Sequence, residues 1–168
     1  MKKTTALLLF SFASLFQIIY AQGALSEGKH QINAGVGFSE WGIPVYIGLD
    51  YSAHKDVTIG TEFSFRSYQE NFQNVKFRHN IVGISVNTNY HFNTIFTLPN
   101  NVDFYAGLNI GFYNWSSPNN YNGDKNSKLG VAGQIGGRYY LNNKFGLNLE
   151  FGGGNAFSGG KLGITFKL

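Results

Sequence analysis

Along most of the chain, apolar and polar residues alternate one for one. Residues 161–168 show it most simply: Leu162, Ile164, Phe166 and Leu168 share one phase, and Lys161, Gly163, Thr165 and Lys167 the other. Successive side chains of an extended strand point to opposite faces, so the stretch predicts a strand with one apolar face. The same period recurs seven more times. It places Ile32, Ala34, Val36 and Phe38 together in residues 31–39, and Ile43, Val45, Ile47, Leu49 and Tyr51 in residues 43–53. Val57, Ile59, Thr61, Phe63 and Phe65 mark a third strand over 57–66, and Val82, Ile84, Val86, Thr88, Tyr90 and Phe92 a fourth over 82–92. Residues 102–113, 129–141 and 145–152 complete the set. Pro44 cannot donate to a ladder and belongs at the extreme start of the second strand. Ile81 has the wrong phase for the apolar face of the fourth.

The strands are separated by tight polar turns at 40–42, 54–56 and 142–144, and by longer polar connections at 67–76, 93–101, 114–127 and 153–160. The strongest loop signal is 114–127, with Pro118-Asn-Asn and Asn122-Gly-Asp. The prediction is an all-β fold, an eight-stranded antiparallel barrel. Period two does not say which face is inside, and a soluble lipocalin-like barrel would enclose the apolar one. Three features favour the reverse. The polar phase is mostly Gly, Asn, Ser and Thr, which suits a crowded interior. The strands are close to the ~9 to 11 residues a tilted strand needs to cross hydrocarbon. With both chain ends in the periplasm, the outward aromatics sort into two bands. Phe38, Trp41, Phe63, Phe65, Phe112 and Phe151 fall at the outer rim, and Tyr51, Tyr90, Phe92, Phe104, Tyr139, Phe145 and Phe166 at the inner one. Two such girdles identify a transmembrane β-barrel.

Composition sharpens this. The chain has 168 residues, only 13% charged and 17% aromatic, which argues against disorder. The absence of cysteine excludes disulfides, thiolate metal sites and lipid attachment to a thiol. Met1-Lys2-Lys3, an apolar run over 4–20 and Ala21 read as a cleaved signal peptide, residues 1–21, followed by a barrel domain over 22–168. Ile19 departs from the small residue usual at its position, and an uncleaved anchor is the alternative. Losing Lys2 and Lys3 leaves a small positive charge, which does not point to nucleic acid. The remainder contains no apolar run long enough for a membrane helix, a test that strands do not have to pass.

Residues 136–150, Gly-Gly-Arg-Tyr-Tyr-Leu-Asn-Asn-Lys-Phe-Gly-Leu-Asn-Leu-Glu, together with the terminal strand 162–168, resemble the small eight-stranded outer-membrane barrels, especially the outer-membrane beta-barrel domain of Bacteroidota. Such terminal strands commonly end in an aromatic residue, whereas this one ends in Leu168 with Phe166 two positions earlier. The resemblance implies an outer-membrane location, contact with its lipids, delivery by the barrel assembly machinery, a monomer, and a structural role in the envelope.

The inward phase carries Asp50, Glu62, Arg66, Asp103, Arg138, Glu150, Lys161 and Lys167. Centring the sixth and seventh strands on Asn143 sets Arg138 opposite Asn148 and Glu150 opposite Gly136, so Arg138 and Glu150 become diagonal neighbours, with Lys161 close by. These charges, with Tyr46, Tyr105, Tyr113 and Tyr140, are expected to plug the lumen; a selective pore is the alternative. A lipid-modifying site would need groups at the outer rim, where only His79 lies near Ser64, Ser67 and Glu62. Parity cannot bring a nucleophile within reach of its base, so the chain is not read as an enzyme. His30, His54, His79 and His91 lack paired ligand spacing, so no metal and no cofactor is expected. Any binding of an unknown surface ligand belongs to the loops, with Phe72, Trp115 and Tyr121 as candidate contacts.

Overall fold

The computed structural model describes residues 25–123, 127–155 and 158–168. The signal segment and its cleavage site lie outside these residues. Eight strands follow in order: β1 His30–Ser39, β2 Val45–His54, β3 Val57–Phe72, β4 Val75–His91, β5 Val102–Ser116, β6 Lys128–Tyr140, β7 Phe145–Gly154 and β8 Gly159–Lys167. Each is antiparallel to the next, and β8 returns to β1 with a register running from Gln31 opposite Lys167 to Ser39 opposite Gly159. The sheet is a closed barrel, so its backbone donors and acceptors pair around the ring without a free edge.

The faces are inverted relative to a soluble protein. Ile84 and Leu108 are 63% and 58% exposed, whereas Gln31 and Asp103 are fully buried. The apolar phase therefore covers the outside and the polar phase fills the lumen, which removes the lipocalin-like alternative. Glycine on the inward phase makes room for large rings. A Cβ on Gly136 would collide with the ring of Tyr105, and one on Gly83 would lie 2.7 Å from the ring of Tyr113.

Several boundaries differ from the sequence reading, for physical reasons. Residues 67–76 are not a loop: β3 and β4 stay paired up to Phe72 opposite Val75. The reversal is made by Gln73 and Asn74, both at positive φ, 52° and 63°. Two left-handed central residues match the twist of a tight hairpin. Alternation continues through this projection, but its outward residues are polar because they stand above the hydrocarbon, and a polar strand looks like a loop. Ile81 is indeed off the outward apolar phase: it points inward and is buried beside Tyr113 and Trp115. Arg66 stands opposite it on β3, but its other neighbours in the layer are rings and Ala132, so the rule that inward means polar fails for Ile81. Trp41 does not join the outer girdle; it folds over the mouth and meets Trp115 edge-on at 5.4 Å. The connection after β4 contains a short helix, α1 Asn93–Phe96, ended by Thr97 in a left-handed conformation.

Candidate functional site

Three layers of side chains fill the barrel. In the layer towards the periplasm, Arg138 on β6 places Nη2 2.8 Å from Asp50 on β2 and Nη1 3.4 Å from Asp103 on β5. Asp103 also accepts from His91 Nδ1 at 2.7 Å, and the other ring nitrogen lies 3.0 Å from Thr58 Oγ1. Asn33 Nδ2 donates to Asp50 at 2.9 Å. In the middle layer, Lys161 on β8 reaches both carboxylate oxygens of Glu62 at 2.8 Å and Glu150 at 3.1 Å. Tyr105 joins the layers: its ring lies 4.5 Å from the Arg138 guanidinium, and its hydroxyl donates to Glu150 at 2.9 Å. Charges removed from water cost heavily unless each meets opposite charge and hydrogen bonds, and both cations do. The gaps left between these side chains have about 10 Å³ of room, space for roughly one water molecule.

The third layer is the outer mouth, and it is aromatic. Arg66 sits between the rings of Trp41 and Tyr113, 5.8 and 5.5 Å from their centres, and donates to Ser39 Oγ at 3.2 Å. Above it, His79 is covered by Tyr68, Trp115 and Tyr121. The segment after β5 folds back onto the β3–β4 projection, where Tyr121 packs on Phe72 at 5.5 Å and Phe77 at 5.0 Å, and its hydroxyl donates to Glu70 at 3.0 Å. A pocket of about 150 Å³ remains beside this roof, lined by Ser39, Glu40, Trp41, Lys128, Gly154, Asn155 and Ser158.

Asp50, Glu62, Arg66, Asp103, Arg138, Glu150 and Lys161 thus all point into the lumen, with Lys167 above the Tyr140 ring at 3.8 Å. The β6–β7 register is the one obtained by centring on Asn143, with Arg138 opposite Asn148 and Glu150 opposite Gly136. Lys161 lies beside Glu150 as expected, but Arg138 does not pair with Glu150. Arg138 pairs with Asp50 and Asp103, while Glu150 pairs with Lys161. Being diagonal on one hairpin does not decide the contact, because the Arg138 side chain crosses the lumen. One candidate loop contact is corrected: Trp115 belongs to β5 and is buried in the mouth. Phe72 and Tyr121 pack against each other and remain half-exposed. Sequence reasoning also missed His91, Asp103 and Thr58 as a connected set. Their inward phase was visible, but the irregular connection containing α1 gave no turn on which to centre the β4–β5 register.

His79 is not partnered by Ser64, Ser67 or Glu62. Its Nδ1 lies 2.8 Å from Ser117 Oγ and its Nε2 3.6 Å from Glu70. The His79 ring lies beneath aromatic rings, and Thr58, His91 and Asp103 are sealed in the lumen, so that second set has no open space for an acyl substrate. Among the described residues, no group of three or more His, Asp or Glu side chains is placed to hold a metal.

The sequence matches the outer membrane protein beta-barrel domain over residues 8–166. The chain belongs to that family. No curated protein matches it. Among solved structures, OprG from Pseudomonas aeruginosa superposes with a TM-score of 0.71 at 11% identity, covering 88% of this chain and 99% of its own. The N-terminal beta-barrel domain of Pseudomonas aeruginosa OprF gives 0.58 at 16% identity, covering 84% and 98%. Ail of Yersinia pestis, solved in complex with the heparin analogue sucrose octasulfate, gives 0.54 at 12%, covering 85% and 100%. At these identities the likeness is one of fold. None of the three comes from Bacteroidota. This family member is an integral outer-membrane barrel whose apolar wall faces the bilayer lipids.

Proposed function

We propose that this outer-membrane barrel is a surface-binding protein that works through its extracellular crown and not through its lumen. The observation that carries the reading is the combination of a filled interior with an ordered projection: strands β3 and β4 stay paired above the bilayer, and the chain after β5 packs onto them. The best-formed recess there is the pocket beside Trp41. An aromatic face with Lys128 Nζ 5.1 Å from its centre, ringed by Ser39, Glu40, Asn155 and Ser158, has the chemistry of a saccharide site. That Ail was solved with a sulfated sugar analogue supports the class of ligand for a barrel of this size. The test is titration of the barrel in nanodiscs with sucrose octasulfate and with an uncharged oligosaccharide. Binding that is lost in Trp41→Ala and weakened in Lys128→Gln supports the reading; a parent protein that takes neither sugar defeats it.

The filled lumen favours a second reading, structural support of the envelope. It predicts envelope leakage in a deletion strain that is repaired as well by Trp41→Ala as by the parent. We also infer export by a signal over residues 1–21 cut after Ala21, delivery by the barrel assembly machinery, and a monomer in the membrane. The intact mass of the exported chain tests the first; a mature protein retaining Met1 would refute it. The narrower kinship with Bacteroidota barrels rests on residues 136–150 and the terminal strand.

A further inference from the structure

The β3–β4 projection sorts its charges between its two faces. Glu70 and His79 point inward, over the mouth, where they meet Tyr121 and Ser117. Outward stand Ser67, Gln69 and Asn71 on β3 and Asn80, Arg78 and Lys76 on β4, all exposed. The register sets Ser67 opposite Asn80, Gln69 opposite Arg78 and Asn71 opposite Lys76. The patch is thus one continuous surface of two cations and four uncharged hydrogen-bonding side chains. No ion pair among the described residues joins Lys76 or Arg78 to a carboxylate.

Its height matters as much as its charge. The apolar wall directly below ends with Phe65 opposite Val82. Arg78 is four residues further along β4, about 10 Å higher for a strand rising ~3.3 Å per residue and tilted ~40°. Polar headgroups occupy roughly 5 to 8 Å beyond each side of the hydrocarbon, and a long basic side chain extends towards the charge it prefers. Asn80 therefore lies within the headgroup layer, and Arg78 reaches down into it. A face continuous with the lipid-contacting wall, cationic and without carboxylates, complements an anionic headgroup. Guanidinium beside amide donors suits phosphate oxygens, which accept several hydrogen bonds at once.

We propose that this outward face of the β3–β4 hairpin binds the phosphorylated headgroups of lipids in the outer leaflet, holding the projection against the membrane surface. The site is distinct from the Trp41 pocket, and its test does not depend on that pocket. The folded barrel is placed in phosphatidylcholine vesicles containing diphosphoryl lipid A, extracted gently in the presence of a chelator, and its retained lipid counted by native mass spectrometry. Lys76→Gln/Arg78→Gln is expected to retain roughly thirtyfold less lipid A than the parent, the order expected for two lost basic contacts at a membrane surface. Lys55→Gln/Lys144→Gln, which removes as much charge from the opposite rim, is expected to match the parent. Monophosphoryl lipid A should be retained less well than the diphosphoryl form. Circular dichroism verifies that each variant keeps its strands. Equal retention by the parent and Lys76→Gln/Arg78→Gln overturns the proposal, as does an equal loss in the Lys55/Lys144 control. A Lys76/Arg78 variant that loses sucrose octasulfate but keeps lipid A would make the patch a site for soluble polyanions and would also overturn it.

Discussion

Arg138 depends on two carboxylates, Asp103 directly opposite it on the neighbouring β5 and Asp50 across the lumen on β2, and each holds it differently. Asp50, at 2.8 Å, is the shorter contact, and Asp103 at 3.4 Å is shared with His91. Taking away Asp50 leaves a guanidinium in the lumen with half its compensation. Breaking a pair this buried costs about 3 to 5 kcal/mol, less if water enters. Asp50→Ala should therefore lower stability in urea unfolding from lipid vesicles by an amount of that order. Asp50→Ala/Arg138→Ala should lose less than the sum of the single changes. A cycle between Arg138 and Glu150 should show a smaller coupling than the Asp50–Arg138 cycle, because the two residues meet only through Tyr105 while Glu150 pairs with Lys161. Tyr105→Phe keeps the ring beside Arg138 but strips a donor from Glu150 and Asn148, and should cost roughly 1 to 3 kcal/mol in the same measurement. That Arg138 faces the lumen could be read from parity alone. Its partner could not, because Asp50 lies 88 residues away and meets it only across a closed and tilted barrel.

At the scale of elements, alternation located all eight strands, and a two-to-one choice of face was settled by small inward residues and outward aromatics. Where the signal misled, it did so at the membrane boundary. The period of two marks burial on one side, and that contrast depends on hydrocarbon outside the wall; in β3 beyond Phe65 and in β4 before Val82 the contrast fades although the ladder does not. The inward residues of that region, Tyr68, Phe77, His79 and Ile81, kept the period, and they were the available clue. Amide hydrogen exchange separates the two descriptions. Backbone amides paired across residues 67–72 and 75–80 should be protected well above those of residues 118–123, whereas a loop would exchange at comparable rates throughout. Asn74 stands in a left-handed conformation that glycine accepts without steric cost, so Asn74→Gly should leave the fold intact and raise stability by a few tenths of a kcal/mol.

For the whole molecule, the packing of the lumen bears on transport. The ionic layers leave water-sized gaps, and the mouth above them is roofed by Trp41, Trp115, Tyr68 and Tyr121. Planar-bilayer recordings of the purified barrel should show no steady conductance; large, reproducible steps would mean that the layers part. Removing the central cation together with the charge of both its partners, Lys161→Ala/Glu62→Ala/Glu150→Gln, hollows the middle layer without leaving an unpaired carboxylate there. Any conductance gained by that variant should remain small, because the Arg138 layer and the aromatic roof still lie in series with it.

The seam between β1 and β8 is built like every other junction in the ring. Leu168 N donates to His30 O at 2.9 Å, and the register then runs without a break to Ser39 opposite Gly159. Nothing in the finished wall marks where synthesis started. The order of the strands in time is thus a fact about the ribosome and the export path, and the folded ring has no memory of it. A circular permutant that joins the two ends and opens the chain between Gln73 and Asn74 should refold in detergent to the same barrel, with the same Asp50–Arg138 coupling. In the cell the same permutant no longer presents β8 after the other seven strands. Its failure there, beside success in detergent, would assign the terminal residues to delivery and not to architecture.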